Sequence, residues 1–189
     1  MKIGLYFGSF NPIHVGHLII ANYVAYNSTN EQVWFIVSPQ NPLKNSSTLL
    51  NEYHRLHLVR LATEDNPKLK VSDVEFKLPK PSYTIDTLTY LAEKHPQHTF
   101  SIIIGSDSFL NINKWKNADV LLRTYDFIVY PRPGFEITDT QGANIEIISA
   151  PLLDISATMI RQFIKAKKSV QYFIPENVRQ EIELYNYYK

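Results

Sequence analysis

The stretch that constrains this chain most strongly is residues 3–20, IGLYFGSFNPIHVGHLII. It predicts a short apolar strand over residues 3–7, a tight turn, and a helix that begins near Val15. His14 and His17 stand three residues apart where that helix starts, so both imidazoles can face one object. A helix N-terminus also offers free N–H groups and the positive end of the helix dipole. This combination favours a polyphosphate site.

Each of these features alone is common in proteins and does not indicate a functional site. A glycine-to-proline turn between a strand and a helix is common, and a lone histidine at a helix start is usually a surface residue. Here the turn begins at Gly8, which permits close approach of the backbone to a phosphate, and two histidines follow it. We therefore interpret the stretch as a functional site.

Strand-length and helix-length patterns alternate along the rest of the chain. Continuous apolar runs such as QVWFIVS are typical of parallel strands that are covered on both faces. The predicted strands after the first cover residues 32–38, 69–73, 99–104, 125–130 and 145–148. The predicted helices cover residues 15–28, 51–66 and 84–94, one that starts at Ser156, and a terminal helix. The pattern indicates the α/β class, with a single doubly wound, mostly parallel sheet and helices on both faces, in one domain over residues 1–189.

Composition excludes several kinds of protein. The net charge is +1 and cysteine is absent, so no global field attracts nucleic acid, and disulfides, thiolate catalysis and zinc–thiolate sites are ruled out. No apolar run approaches the length of a membrane span, and no signal peptide is apparent. We expect a cytoplasmic protein with no nucleic-acid or membrane partner.

Several residues have a plain structural interpretation. His54 and His57 are three residues apart, but no third ligand is suitably spaced, so we interpret them as structural or surface residues. Ser82 or Thr84 can cap the helix over 84–94. Val178, Ile182 and Leu184 are expected to pack, and the tyrosine-rich residues 185–188 are expected at an edge or an interface, which leaves a homo-oligomer open.

A second helix start resembles the first. Ser156 is a predicted N-cap, and Arg161 lies one turn into the helix that follows. An arginine in a helix is usually a solvated charge. Next to a helix N-terminus, however, a guanidinium supplies a planar, bidentate donor set to phosphate oxygens.

These motifs together resemble a known superfamily. Residues 8–17, GSFNPIHVGH, resemble the GxFxPxHxGH signature of the HxGH nucleotidyltransferases, and residues 155–161, ISATMIR, resemble its ISxTxIR element. The intervening PSYT, IGSDS and RPG elements are similar to those of the nicotinate-nucleotide adenylyltransferase family. The resemblance covers almost the whole chain. It implies a Rossmann-like fold and adenylyl transfer from ATP to nicotinate mononucleotide, with Mg²⁺ arriving on ATP and no all-protein metal site.

The resemblance also assigns residues. The implied catalytic residues are His14, His17, Lys44 and Arg161. Implied ATP contacts are Gly8, Ser9, Phe10, His17, Gly105, Asp107, Ser156, Thr158 and Arg161. Implied pyridine-nucleotide contacts are Lys44, Tyr83, Thr84, Trp115 and Lys116. Lys44 lies in a loop that departs from the family pattern, since Leu43 stands where a histidine is usual. From position alone, Lys44 could equally be a solvated surface lysine. Arg132 of the RPG element could either contact a phosphate or support the rim of the site, and the sequence does not decide between these two roles.

Alternatives stay open at this point. The GSFNP turn also occurs in relatives that use the amide nucleotide, so nicotinamide or dual specificity is possible. A pantetheine-phosphate adenylyltransferase or a cytidylyltransferase shares the HxGH chemistry, but the PSYT, IGSDS and RPG elements argue against both. A non-catalytic nucleotide sensor could keep the fold, but it would have little reason to retain both histidines and Arg161. A dinucleotide-dependent oxidoreductase is disfavoured because no GxGxxG follows the first strand.

Overall fold

The computed structural model describes residues 1–40 and 48–189. Its strands are β1 (Lys2–Gly8), β2 (Gln32–Val37), β3 (Leu69–Ser72), β4 (Thr99–Gly105), β5 (Asp126–Tyr130) and β6 (Ile145–Ile147). Its α-helices are α1 (Val15–Asn27), α2 (Glu52–Thr63), α3 (Thr84–Lys94), α4 (Ser106–Phe109), α5 (Ala118–Thr124), α6 (Ala157–Lys165) and α7 (Glu176–Leu184). Two 3₁₀ helices, Val74–Lys77 and Ile112–Lys114, complete these elements.

The six strands form one sheet in the order β3-β2-β1-β4-β5-β6, and all five neighbouring pairs are parallel. The predicted doubly wound α/β fold is therefore confirmed. The strand order reverses between β1 and β4, and in such sheets ligands bind outside the carboxyl ends of the strands at that point. Gly8 and Gly105, the last residues of these two strands, mark this edge.

Each face of the sheet has its own hydrophobic core, because successive side chains of a strand point to opposite faces. Tyr6 of β1 packs in a cluster that contains apolar residues of α1, α2, α6 and α7. Ile3 and Leu5 pack in a second cluster with residues of α3, α4 and α5. Each fully buried side chain of this size contributes about 1.5–3 kcal/mol. Burial on both faces explains why the strands read as continuous apolar runs.

The structure differs from the prediction at several elements. The helices α4 and α5 are additional to those predicted from sequence. Leu184 is 69% exposed, so the expectation that it packs is wrong, whereas Val178 and Ile182 are buried as expected. Within residues 1–40 and 48–189, no helix is long and apolar enough to cross a membrane.

Candidate active site

The turn between β1 and α1 is shaped by close packing beneath it. Phe10 is buried and adopts φ of 45°, which folds its ring back under the strand. A Cβ on Gly8 would lie 2.8 Å from the Phe10 ring, so any other residue there would have to displace this buried ring. The chain then enters α1 with the N–H of Val15 donating to the Phe173 carbonyl at 3.0 Å. These contacts hold a compact turn directly before the start of α1.

The two histidines form a stacked pair at that helix start. Their ring centroids lie 3.6 Å apart and their planes are inclined by 24°. The backbone N–H of His14 donates to Nδ1 of His17 at 3.3 Å. A ring nitrogen that accepts a hydrogen bond carries no proton, so the proton of neutral His17 resides on Nε2. His17 is therefore a hydrogen-bond donor through Nε2.

His14 is buried, and among the described residues its Nδ1 atom has no hydrogen-bond partner. Burial, with a smaller contribution from the positive charge of Arg132, lowers the pKa of His14 to about 4. The His14 ring is therefore neutral at pH 7, and it can meet an anion only as a neutral donor. Both histidines line one cleft with Arg132 and Ile155, the residue just before the cap of α6.

The second helix start faces the same turn. Ser156 caps α6 by accepting a hydrogen bond from the Met159 N–H at 3.1 Å, which confirms the predicted cap. Arg161 donates to the Asn11 carbonyl at 2.7 Å and to the Thr158 hydroxyl at 3.2 Å. Residues that are 150 positions apart in the chain are thereby joined. The two N-termini and one guanidinium surround the turn that carries Ser9 and Phe10.

A buried arginine beneath the turn was missed by sequence reasoning. Arg55 of α2 is fully buried, and its guanidinium donates four hydrogen bonds to backbone carbonyls. The acceptors are Leu50 at 2.7 Å, Ser9 at 2.6 Å, Ser38 at 2.8 Å and Pro39 at 3.0 Å. A signal was present, because Arg55 precedes Leu58 and Val59 by three and four residues and so lies on the apolar face of α2. Its role is to tie the turn to the end of β2.

The end of β4 contributes a third part of the rim. A Cβ on Gly105 would lie 2.5 Å from the Asp107 carboxylate, so this glycine is needed for the side chain of Asp107 to fold back toward the strand end. The Ser106 hydroxyl accepts a hydrogen bond from the Arg132 N–H at 2.8 Å. The Arg132 guanidinium lies 5.1 Å from the centroid of the Tyr130 ring. This places Arg132 in the cleft beside the histidines.

The residues assigned to the pyridine nucleotide form a second group, on the hydrophobic cluster that contains residues of α3, α4 and α5. Tyr83 and Trp115 both pack against the cluster of α3, α4 and α5. The Lys116 ammonium lies 5.0 Å from the Tyr83 ring centroid and forms an ion pair with Asp86 at 2.9 Å. Thr84 is the first residue of α3. The structure therefore gathers these four assigned residues around the start of α3.

The predicted cap of α3 is wrong. Tyr83 is the N-cap residue and makes no side-chain capping bond. The Ser82 hydroxyl instead donates to buried Glu75 at 2.8 Å, and Thr87 donates to the same carboxylate at 2.9 Å. Burial raises the pKa of Glu75, and the hydrogen bonds from serine and threonine hydroxyls oppose that rise. The start of α3 is thus held through Glu75, not through a cap.

Two further predictions have different outcomes. His54 and His57 are exposed, and they contact Tyr187 and Glu181 of the chain's last segment, as expected for surface residues. Lys44, assigned to the catalytic set and to the pyridine nucleotide, lies outside the described residues. Its role stays a prediction.

Comparison with known proteins gives a consistent result. The cytidylyltransferase-like family model matches residues 5–163. The chain is 54% identical to the probable nicotinate-nucleotide adenylyltransferase of Flavobacterium psychrophilum, over 100% of both chains. It is 49% identical to the protein of that name from Cytophaga hutchinsonii, over 100% of this chain and 98% of the relative.

Solved structures share the fold. A Plasmodium falciparum nicotinic acid mononucleotide adenylyltransferase complexed with NaAD superposes with a TM-score of 0.83 and 22% identity, over 99% of this chain and 97% of that one. A putative nicotinate-nucleotide adenylyltransferase from Vibrio parahaemolyticus gives a TM-score of 0.74 at 18% identity, over 99% and 94%.

Proposed function

Since this chain belongs to the nicotinate-nucleotide adenylyltransferases of the cytidylyltransferase-like family, we propose that it transfers the adenylyl group of ATP to nicotinate mononucleotide. The products are nicotinate adenine dinucleotide and pyrophosphate, a step of NAD biosynthesis. One observation carries this function: the stacked pair His14–His17 and Arg161 meet at a single turn between two helix N-termini. That arrangement suits a triphosphate.

The reaction needs no general base. A phosphate oxygen of the acceptor is already anionic, and it forms a bond to the α-phosphorus of ATP while the bond to the bridging oxygen of pyrophosphate breaks. Catalysis then rests on positioning and on stabilising the charge that develops on phosphoryl oxygens. His14, neutral and buried, contacts the α-phosphate and the attacking phosphate. His17 donates from Nε2 to the departing pyrophosphate.

We assign the remaining ATP contacts to residues around the rim of the cleft. Arg161 and Lys44 hold phosphates by charge, and the α6 start with Ser156 and Thr158 supplies donors beside Arg161. Gly8, Ser9 and Phe10 bring the backbone of the turn close to the nucleotide. Gly105 and Asp107 lie at the end of β4, where the carboxylate can accept from ribose hydroxyls.

We assign the acceptor to the group at the start of α3. Trp115 offers a flat surface on which the nicotinate ring can stack. Thr84 and Tyr83 meet the substituent of the ring, and the Lys116 N–H meets its carboxylate. The Lys116 ammonium is held by Asp86, which supports a role for its backbone in place of its charge.

A nucleotidyltransferase that acts on ATP uses a divalent cation, and we propose Mg²⁺. Within the described residues, no three or more His, Cys, Asp or Glu side chains are grouped to hold a metal ion. The cleft is lined by imidazole and guanidinium groups, which are not the oxygen ligands that Mg²⁺ prefers. The cation would therefore be held by the phosphate oxygens of ATP and by water. Bound in this way, Mg²⁺ would neutralise part of the charge on the triphosphate. His14, His17 and Arg161 hold the phosphates themselves.

The wider expectations are also proposals. We propose that residues 1–189 act as a single nucleotidyltransferase domain, in the cytoplasm, with ATP and nicotinate mononucleotide as partners. Neither nucleic acid nor a membrane is needed for this chemistry.

The test is pyrophosphate release with ATP and Mg²⁺, offering nicotinate mononucleotide, nicotinamide mononucleotide or phosphopantetheine in parallel. We expect a strong preference for the nicotinate nucleotide. Equal use of both pyridine nucleotides would contradict the specificity and keep the chemistry. ATP binding without turnover on any acceptor would refute the enzyme and favour a nucleotide sensor.

A further inference from the structure

The segment that carries Tyr83 and Thr84 is anchored through one buried carboxylate. Glu75 lies in the 3₁₀ helix that follows β3, and it is 2% exposed. Its Oε2 accepts a hydrogen bond from the Ser82 hydroxyl at 2.8 Å, and its Oε1 accepts one from the Thr87 hydroxyl at 2.9 Å. In the chain, these two donors lie on either side of Tyr83 and Thr84. One side chain therefore fixes both ends of the stretch assigned to the acceptor.

The Thr87 hydroxyl also contacts the stretch between the two donors. It lies 3.3 Å from the Tyr83 carbonyl oxygen, which accepts hydrogen bonds from the N–H groups of Asp86 and Thr87 at 3.0 and 3.1 Å as well. The carboxylate of Glu75, the Thr87 hydroxyl and the Tyr83 backbone thus form one connected set. A displacement of the carboxylate is passed to Tyr83 through two hydrogen bonds.

Stability alone does not explain a carboxylate at this position. Burial of a carboxylate is costly unless a cation pairs with it. The two lysines of the same segment pair elsewhere, Lys77 with Asp73 at 3.6 Å and Lys80 with Glu52 at 2.8 Å. In the described part of the chain, the partners of the Glu75 carboxylate are neutral hydroxyls. A side chain that is retained at such a cost calls for a functional reason.

The chemistry of the carboxylate supplies this reason. An ionised carboxylate only accepts hydrogen bonds, so both buried hydroxyls direct their protons toward it. Ser82 and Thr87 are thereby withdrawn from capping α3, whose N-cap residue Tyr83 makes no side-chain capping bond. The first turn of α3 therefore keeps N–H groups that the N-cap side chain does not occupy.

We propose that Glu75 is a positioning residue for the acceptor: its carboxylate fixes the backbone of Tyr83 and Thr84 and keeps the start of α3 uncapped for the substituent of the pyridine ring. The inference rests on the proposed function and deepens it, because it assigns the discrimination between the nicotinate and nicotinamide nucleotides to this buried network. The turn before α1 is held by other groups, Arg55 and Arg161. ATP binding should therefore not depend on Glu75.

The test compares Glu75→Met with Glu75→Gln. Methionine keeps the length of the side chain and removes both acceptors, whereas glutamine keeps one acceptor and can donate to the other hydroxyl. For Glu75→Met we expect KM for nicotinate mononucleotide, and its dissociation constant measured by calorimetry, to rise about tenfold. The ratio of kcat/KM for the nicotinate nucleotide to that for the nicotinamide nucleotide should fall about tenfold, and KM for ATP should stay within about twofold. Glu75→Gln should restore the acceptor values to within about threefold of the wild type.

Glu52→Gln is the matched control. It makes the same carboxylate-to-amide change at a partly exposed position, and it removes the ion pair with Lys80 of the same segment. Since an exposed ion pair contributes little, KM for ATP, KM for the acceptor and the selectivity ratio should all stay within about twofold.

Ser82→Ala tests the same network if Glu75→Met does not fold. It removes one donor, so KM for nicotinate mononucleotide should rise about three- to fivefold while KM for ATP stays unchanged. Equal losses for ATP and the acceptor, or an unchanged affinity for nicotinate mononucleotide in both variants, would overturn the proposal. A wild type that binds nicotinate mononucleotide without transferring an adenylyl group would refute the proposed function alone, because calorimetry still compares the variants. A wild type that does not bind this nucleotide would overturn both.

Discussion

The imidazole rings of His14 and His17 stack with their centroids 3.6 Å apart, and the backbone of one fixes the tautomer of the other. Two imidazoles at this distance repel one another strongly if both are protonated. Burial of His14 resolves the conflict by keeping that ring neutral. The pair therefore presents two imidazole rings of different orientation to a phosphate, and the buried His14 ring contacts it as a neutral donor beside the charged Arg161.

The first prediction concerns His17. His17→Ala should lower kcat by about 10²–10³, the loss typical of removing one donor to a developing oxyanion. The ATP dissociation constant should change by less than about fivefold, because the other phosphate contacts are kept. Rapid-quench pyrophosphate release and calorimetry measure the two quantities. A comparable loss in both would show that His17 binds the ground state.

The second prediction concerns the pH dependence of stability. The pKa of His14 is about 4 in the folded protein and about 6.5 when unfolded, so between these values the unfolded chain binds more protons. Stability should therefore rise as pH increases from about 4 to 6.5 and be lost as pH falls through this window, by about 3 kcal/mol in total. Urea unfolding at closely spaced pH values measures the slope.

The control for this slope is a pair of histidine variants. His14→Gln should flatten the rise between pH 4 and 6.5, because the titrating group is gone. His95→Gln, at the C-cap of α3, should leave it in place. An equal slope in both variants would show that other groups cause the dependence.

The centre of the sheet was predictable from sequence because β1, β2, β4 and β5 are mostly buried on both faces. Residues 33–37 and 102–104 are continuously apolar, and no helix period competes with them. The cap at Ser156 was also predictable, since it needs only the next three residues.

The supports of the site were not predictable in this way. The four acceptors of Arg55 come from three separate stretches of the chain, residues 9, 38–39 and 50, which only the folded protein brings together. Ser82 reads as a cap, but the buried carboxylate of Glu75 competes successfully for its hydroxyl. Tyr188 was expected at an edge or an interface, but the left-handed residue Asn186 redirects the chain and the Tyr188 hydroxyl is buried. Local patterns carry no information about such long-range partners.

The third prediction concerns Arg55. Arg55→Lys should destabilise the protein by about 3–5 kcal/mol, because an ammonium cannot reach four carbonyls and is left partly unpaired in the core. Thermal unfolding followed by circular dichroism measures the loss. Arg60→Lys is the matched control, as Arg60 lies exposed on the same helix, and it should cost less than about 0.5 kcal/mol.

The fourth prediction concerns Glu75, whose pKa is raised by burial. A carboxyl group with a raised folded pKa stabilises the protein below its unfolded pKa of 4.5, and this contribution is lost as pH rises through the folded value. Glu75→Gln removes the titration, so its stability relative to wild type should improve as pH rises above about 4.5. Urea unfolding between pH 4 and 8 measures the difference.

Glu75→Ala separates the charge from the hydrogen bonds. It leaves the buried hydroxyls of Ser82 and Thr87 without their carboxylate, so relative to Glu75→Gln it should cost about 1–3 kcal/mol at every pH. Glu93→Gln, an exposed position on α3, is the control and should show neither effect. If Glu75→Gln instead lost stability steadily as pH rose, the carboxylate would be the form that the fold prefers, and its hydroxyl donors would outweigh burial.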